Sequence, residues 1–71
     1  MKPSIGRIVI YKTNSAQPYV YPAIINKIDP TNGEIGLHVF EPDAGFQTTA
    51  KSMAEGPRQA EPGQWWWPER I

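Results

Sequence analysis

Residues 19–41, YVYPAIINKIDPTNGEIGLHVFE, carry the clearest structural pattern in the chain. Two arms rich in β-branched and aromatic residues flank a run of turn formers, which is the sequence pattern of a hairpin. In the first arm, residues 19–28, Ile24, Asn26 and Ile28 fall on one face and Ala23, Ile25 and Lys27 on the other. Pro22 has no N–H to give a ladder, so an edge, a bulge or a bend is expected there. The turn is residues 29–33, with Pro30 setting its own φ and Asn32-Gly33 expected to supply positive φ. In the second arm, residues 34–41, Ile35, Leu37 and Val39 alternate with Gly36, His38 and Phe40.

Outward from this hairpin the chain repeats the theme. Residues 6–12 (GRIVIYK) predict a first strand, with Ile8 and Ile10 on one face and Val9 and Tyr11 on the other. A polar loop, residues 13–18 (TNSAQP), links it to the hairpin. A second turn at residues 42–45 leads into a weaker strand at 46–53 (FQTTAKSM). Residues 54–63 (AEGPRQAEPG) predict a loop, and residues 64–67 (QWWW) a last short strand stopped by Pro68. Eight prolines and six glycines leave no room for a helical domain. The expectation is one all-β domain over residues 1–71. It is either a five-stranded SH3-like barrel or a strongly bent antiparallel sheet, with an oligonucleotide-binding-type barrel as second choice.

A chain of 71 residues has a marginal core. It has no cysteine for a disulfide, and His38 is its single histidine, so no metal site is expected. Tight aromatic packing and homo-oligomerisation are the remaining supports. Absence of cysteine fits a reducing cytoplasm. No apolar run of signal-peptide length follows Met1-Lys2, and none reaches the length of a membrane span.

Seven basic residues balance seven acidic ones, without runs of like charge. That balance weighs against duplex nucleic acid, whose binders carry a basic face. It leaves room for a small anionic ligand, which needs only a few cationic donors. Catalysis finds little to work with. There is one histidine, no Ser-His-Asp spacing and no glycine-rich phosphate loop, so no catalytic residue and no cofactor is expected. His38, among apolar neighbours on a strand, reads as a structural or surface histidine.

Trp65-Trp66-Trp67 is the rarest feature of the chain. On a strand Trp65 and Trp67 share a face, and as a pair they fill the core. Trp66 takes the opposite face. It is then partly exposed, buried at a subunit contact, or stacked on a ligand. Phe40 is a further core or interface aromatic. Phe40 also joins Tyr11, Tyr19, Tyr21 and Phe46, which combine with Arg7, Lys51, Arg58 and Arg70 into an inventory suited to a planar, phosphate-bearing ligand. Thr48, Thr49 and Ser52 add hydroxyls near Lys51.

GRIVIY (residues 6–11) and WWWPERI (65–71) bracket the chain, with PAIINKI (22–28) and IGLHVFEPDAG (35–45) between them. This order resembles a family of small uncharacterised phage and prophage proteins. Their pattern runs G-R-I-V-x-Y, P-A-I-(I/V), N-L-x-V-F-x-D-G and W-H-W-P-E-R. The chain departs from it where Trp66 replaces a histidine, where Gly36 replaces an asparagine, and in its short first loop. That family is similar in size and pattern to phage proteins that sequester the cyclic oligonucleotide messengers of bacterial immune systems such as CBASS. The resemblance implies a sponge: a phage-encoded, oligomeric, non-catalytic protein acting in the host cytoplasm, with a cyclic dinucleotide as its small anionic ligand. The positions that match the family pattern are Arg7, Tyr11, Trp65, Trp66, Trp67, Glu69 and Arg70. Together with Thr48 and Lys51 from the polar fourth strand, the ligand-binding residues expected are Arg7, Tyr11, Thr48, Lys51, Trp66 and Arg70, with Trp65, Trp67 and Phe40 as core or interface aromatics. The competing readings are a protein-interaction module gripping a proline-rich or extended peptide in an aromatic groove, a phage assembly or accessory protein, and a single-stranded nucleic-acid binder.

Overall fold

The computed structural model of the chain describes residues 3–50 and 52–68. Five strands follow one another: β1 (Ile8–Lys12), β2 (Val20–Ile28), β3 (Ile35–Phe40), β4 (Gly45–Ala50) and β5 (Trp65–Trp66). They form one antiparallel sheet in the order β4-β3-β2-β1-β5, and no helix occurs among the described residues. The all-β expectation and its five strands therefore hold. The barrel does not: β4 and β5 lie at opposite edges and no ladder joins them.

The sheet is nevertheless curled. Four strand spacings of ~4.8 Å would hold the edges of a flat sheet about 19 Å apart. Here Met53, just past β4, makes a parallel bridge with Trp65, and the Ala54 N–H donates to the Trp65 carbonyl at 2.8 Å. Closure stops at that bridge because β5 spans only two residues before Pro68. One core fills the concave side. Val9, Tyr11, Ala23, Ile25, Ile35, Leu37, Val39, Ala50 and Trp65 are all buried in it. These are the residues that alternation turns inward, and the registers Val9–Ala23, Tyr11–Tyr21, Ala23–Val39, Ile25–Leu37, Leu37–Thr48 and Tyr11–Trp65 line them up across the strands.

Two details of β2 differ from simple alternation. Ile25 pairs with Leu37 and Lys27 with Gly36, so Asn26 is the extra residue of a β-bulge. The bulge resets the faces. Ile28 packs against the core instead of sharing a face with Ile24, and Lys27 turns outward. Pro22, by contrast, sits in regular register with Ile10. Because the Ile25 N–H points to β1, donating to the Arg7 carbonyl at 3.0 Å, alternation turns Pro22 toward β3. The β2–β3 ladder ends at Ala23, while β1–β2 runs on to Val20. Proline thus marks an edge, as its missing donor requires.

The hairpin turn is closed by the Asp29 N–H donating to the Glu34 carbonyl at 2.9 Å and by the Gly33 N–H donating to the Asp29 carbonyl at 3.0 Å. Gly33 alone takes positive φ, +77°; Asn32 does not share it, contrary to expectation. Asn32 instead caps the exit, its Oδ1 accepting from the Glu34 N–H at 3.0 Å.

A second, smaller core lies on the outer face. Trp66, paired with Ile10, is 5% exposed beneath Ala54 and Ala60. The chain between β4 and β5 folds back over it. Lys12 fastens that loop, its Nζ donating to the Ala60 carbonyl at 3.1 Å. The three readings offered for Trp66 from sequence are thus replaced by a fourth: the same chain covers it.

Candidate functional site

Beyond Ala23, where the β2–β3 ladder ends, a cleft lies on the concave side. It has a volume of about 490 Å³ and is bordered by Tyr11, Tyr19, Tyr21 and Phe46, with Thr13, Asn14, Ser15, Glu41 and Thr48 supplying polar groups. A second cleft of about 330 Å³ adjoins it, sharing Tyr11, Asn14 and Thr48 as a common wall. Its other borders are Thr49, Ser52, Glu61, Pro62, Gly63 and Gln64. Both volumes fall in the range of small-ligand sites.

The strands position the wall. Tyr11 on β1 faces Tyr21 on β2, and Thr48 on β4 faces Leu37 on β3, all on the concave side. Tyr11 is only 2% exposed yet borders both clefts, so what remains exposed of it opens there. Tyr19 and Tyr21 stack at 6.1 Å with 25° between their planes. Tyr19 is held by the first loop: its N–H donates to Thr13 Oγ1 and its carbonyl accepts from the Thr13 N–H, both at 2.8 Å. Within that loop, Ser15 Oγ donates to the Gln17 carbonyl at 3.0 Å. The second cleft is braced by Gln64, whose Nε2 donates to Ser52 Oγ at 2.8 Å and whose Oε1 accepts from the Glu61 N–H at 2.9 Å.

Of the ligand-binding residues expected from sequence, Tyr11 and Thr48 come together on this wall. Lys51 and Arg70 lie outside the described residues, as does Glu69. Arg7 borders neither cleft; its guanidinium lies 5.9 Å from the centre of the Trp67 ring, a cation–π contact. Trp66 is on the opposite face. Trp65 is core, and Trp67 packs half-buried against it, edge to face at 5.2 Å. Phe40 is not core: it is 43% exposed on the outer face, edge to face with His38 at 5.1 Å.

Tyr19, Tyr21, Phe46, Thr49 and Ser52 were in the wider aromatic and hydroxyl inventory, and all border the clefts. Asn14, Glu41, Glu61 and Gln64 were not singled out. They sit in loops, where no periodicity marks them. The available signal was parity: Thr13 and Glu41 each lie two residues beyond an inward-facing strand residue, Tyr11 and Val39.

Among the described residues no three His, Asp or Glu side chains converge as metal ligands. Among the described residues no helix is long and apolar enough to cross a membrane. Comparison with protein-family models, with curated proteins and with solved structures finds no match.

Proposed function

We propose that this chain is a non-catalytic binding module whose paired clefts take an extended, proline-rich peptide. The observation that carries the reading is the aromatic wall itself. Tyr11, Tyr19, Tyr21 and Phe46 line a groove with hydroxyl and amide groups between them, and no cation borders either cleft among the described residues. A polyproline II segment has no internal hydrogen bonds, so its carbonyls are free to accept from such donors. Its pyrrolidine rings pack against flat aromatic surfaces, the mode by which small β domains read proline-rich segments. Tyrosine suits this because it adds a polar tip to a large apolar face.

The absence of catalysis is part of the proposal. It is supported by the position of His38 on the outer face, on β3 beside Phe40, where it borders neither cleft.

One observation favours the messenger-sequestering reading as the second. Thr49 and Ser52 both border the second cleft, and Lys51 lies between them in sequence. With the tyrosines as stacking faces, a cation there would suit a nucleotide. The phage origin, the immune-evasion role and the host-cytoplasm placement belong to that reading. Against it stand Glu41 and Glu61, which a phosphodiester would have to approach. Self-association is compatible with both readings and is supported by the outer face, where Ile8, Val20 and Phe40 are 58%, 53% and 43% exposed.

Calorimetric titration separates the two. The purified protein is titrated with a hexaproline peptide and, separately, with a panel of cyclic di- and trinucleotides. The peptide binding, and being displaced on mutation of Tyr19, is the expected result. A nucleotide that binds instead, and is recovered intact after denaturation, replaces the peptide reading with the sponge. At 1,000 times its Kd the true ligand adds ~4 kcal/mol of stability, which a thermal shift reads independently.

A further inference from the structure

The clefts carry two carboxylates that nothing in the described structure neutralises. Glu41 borders the first cleft alone and Glu61 the second alone, so they stand on either side of the shared wall of Tyr11, Asn14 and Thr48. Both are exposed, and neither has an ion-pair partner among the described residues. None of the described cations borders the paired clefts. Lys12 Nζ donates to the Ala60 carbonyl. Arg7 lies over Trp67. Lys27 borders a separate small cleft with Asp29 and Glu34, and Arg58 is exposed on the loop that covers Trp66, bordering neither of the paired clefts.

We propose that the paired clefts select extended peptides in which an arginine or lysine flanks the proline run, the cation meeting Glu41 on one side of the wall and Glu61 on the other. The inference rests on the peptide reading and adds the partner's charge to it. The physics is complementarity. A polyproline II helix presents nearly the same surface in both directions, so aromatic packing alone fixes neither its register nor its extent. Charges beyond each end of the apolar wall supply that information, because like-charge contact is penalised there and opposite charge steers the encounter. Arginine suits the role better than lysine, since its planar fork meets a carboxylate through two parallel hydrogen bonds.

The test uses three end-blocked octapeptides: six prolines flanked by arginine at both ends, by glutamine, and by glutamate. Each is titrated into the wild-type chain and into Glu41→Gln and Glu61→Gln, at low and at high salt. Both glutamates are exposed, so the variants retain the fold. The arginine peptide is expected to bind tighter than the glutamine peptide by roughly two- to fivefold per charge, the range that exposed ion pairs support. Each glutamate variant narrows the preference for the arginine peptide over the glutamine peptide, and high salt erases the remainder. Equal binding of the arginine and glutamine peptides overturns the charge assignment and leaves the peptide reading standing. Tighter binding of the glutamate peptide overturns it by revealing a cationic cleft. If none of the three binds, the peptide reading falls and the inference with it.

Discussion

Asn26 and Gln47 stand on strands that do not touch, yet their side-chain amides bond reciprocally: Asn26 Nδ2 donates to Gln47 Oε1 at 2.6 Å, and Gln47 Nε2 donates to Asn26 Oδ1 at 3.0 Å. β3 lies between them, and what lets them meet is Gly36. A Cβ at that position would lie 2.9 Å from Lys27 Cβ, 3.0 Å from Asn26 Oδ1 and 3.2 Å from Gln47 Nε2. The β2 bulge, the missing side chain on β3 and the amide on β4 are therefore one arrangement, tying three strands at the end of the sheet away from Pro22.

Gly36→Ala is expected to destabilise the fold by ~1–3 kcal/mol, as overpacking does, because Lys27 Cβ is fixed by its own backbone and cannot swing aside. Gln47→Ala removes one partner of an exposed pair and costs less, ~0.5–1.5 kcal/mol. Urea denaturation of the two single variants and the double variant checks this. In the double variant the two losses should not add, since Gly36→Ala already breaks the pair. Strict additivity would show that the amides and Gly36 are independent.

Trp66→Ala is expected to cost ~3–5 kcal/mol, comparable to Trp65→Ala, although the two indoles lie on opposite faces of the sheet. Trp66 is sealed by Ala54, Ala60 and Ile10, so its removal opens a cavity under the 54–60 loop. Total stability for a domain of this size is only ~4–10 kcal/mol, so a clear fall in denaturation midpoint follows for both variants. A Trp66→Ala protein as stable as wild type would show that the loop does not cover the ring.

Tyr19→Ala is expected to separate binding from folding. Tyr19 is 55% exposed and its hydrogen bonds to Thr13 use the backbone, so stability should change by less than ~0.5 kcal/mol. Affinity for the proline-rich peptide should fall by ~tenfold, the loss typical of an aromatic anchor. Denaturation and calorimetry on the same sample read the two quantities. Unchanged affinity would move the binding surface off the first cleft.

Phe40→Glu is expected to shift the chain toward monomer in sedimentation velocity. The residue lies on an outer face with exposed Ile8 and Val20, and a charge there would have to be desolvated in any self-contact. A wild-type chain that sediments as monomer at high micromolar concentration would remove the case for an oligomer.

Legible in the residues alone were the five strands and most of the grouping of their side chains onto faces. Alternation grouped Val9 with Tyr11, Ala23 with Ile25, and Ile35 with Leu37 and Val39, and the core keeps those groups, because side chains on a strand have a period of two; which group turns inward only the folded sheet shows, since Ile8 and Ile10 are as apolar as Val9 and Tyr11. The tyrosines, Phe46 and Thr48 were also legible as an inventory. Tertiary structure alone decided the rest. The bulge at Asn26 reversed Ile28 and Lys27, which no local pattern announces, since a bulge depends on how two strands pair. The fate of Trp66 turned on a loop that folds back over the outer face, a contact between segments that alternation does not relate. The composition of the clefts was decided in the same way. Tyr11, Asn14, Thr48 and Glu61 converge because the sheet curls, while Arg7 is drawn to Trp67 and away from them. Residue types fix what chemistry a chain can offer; the curvature of the sheet and the paths of its loops fix which groups offer it together.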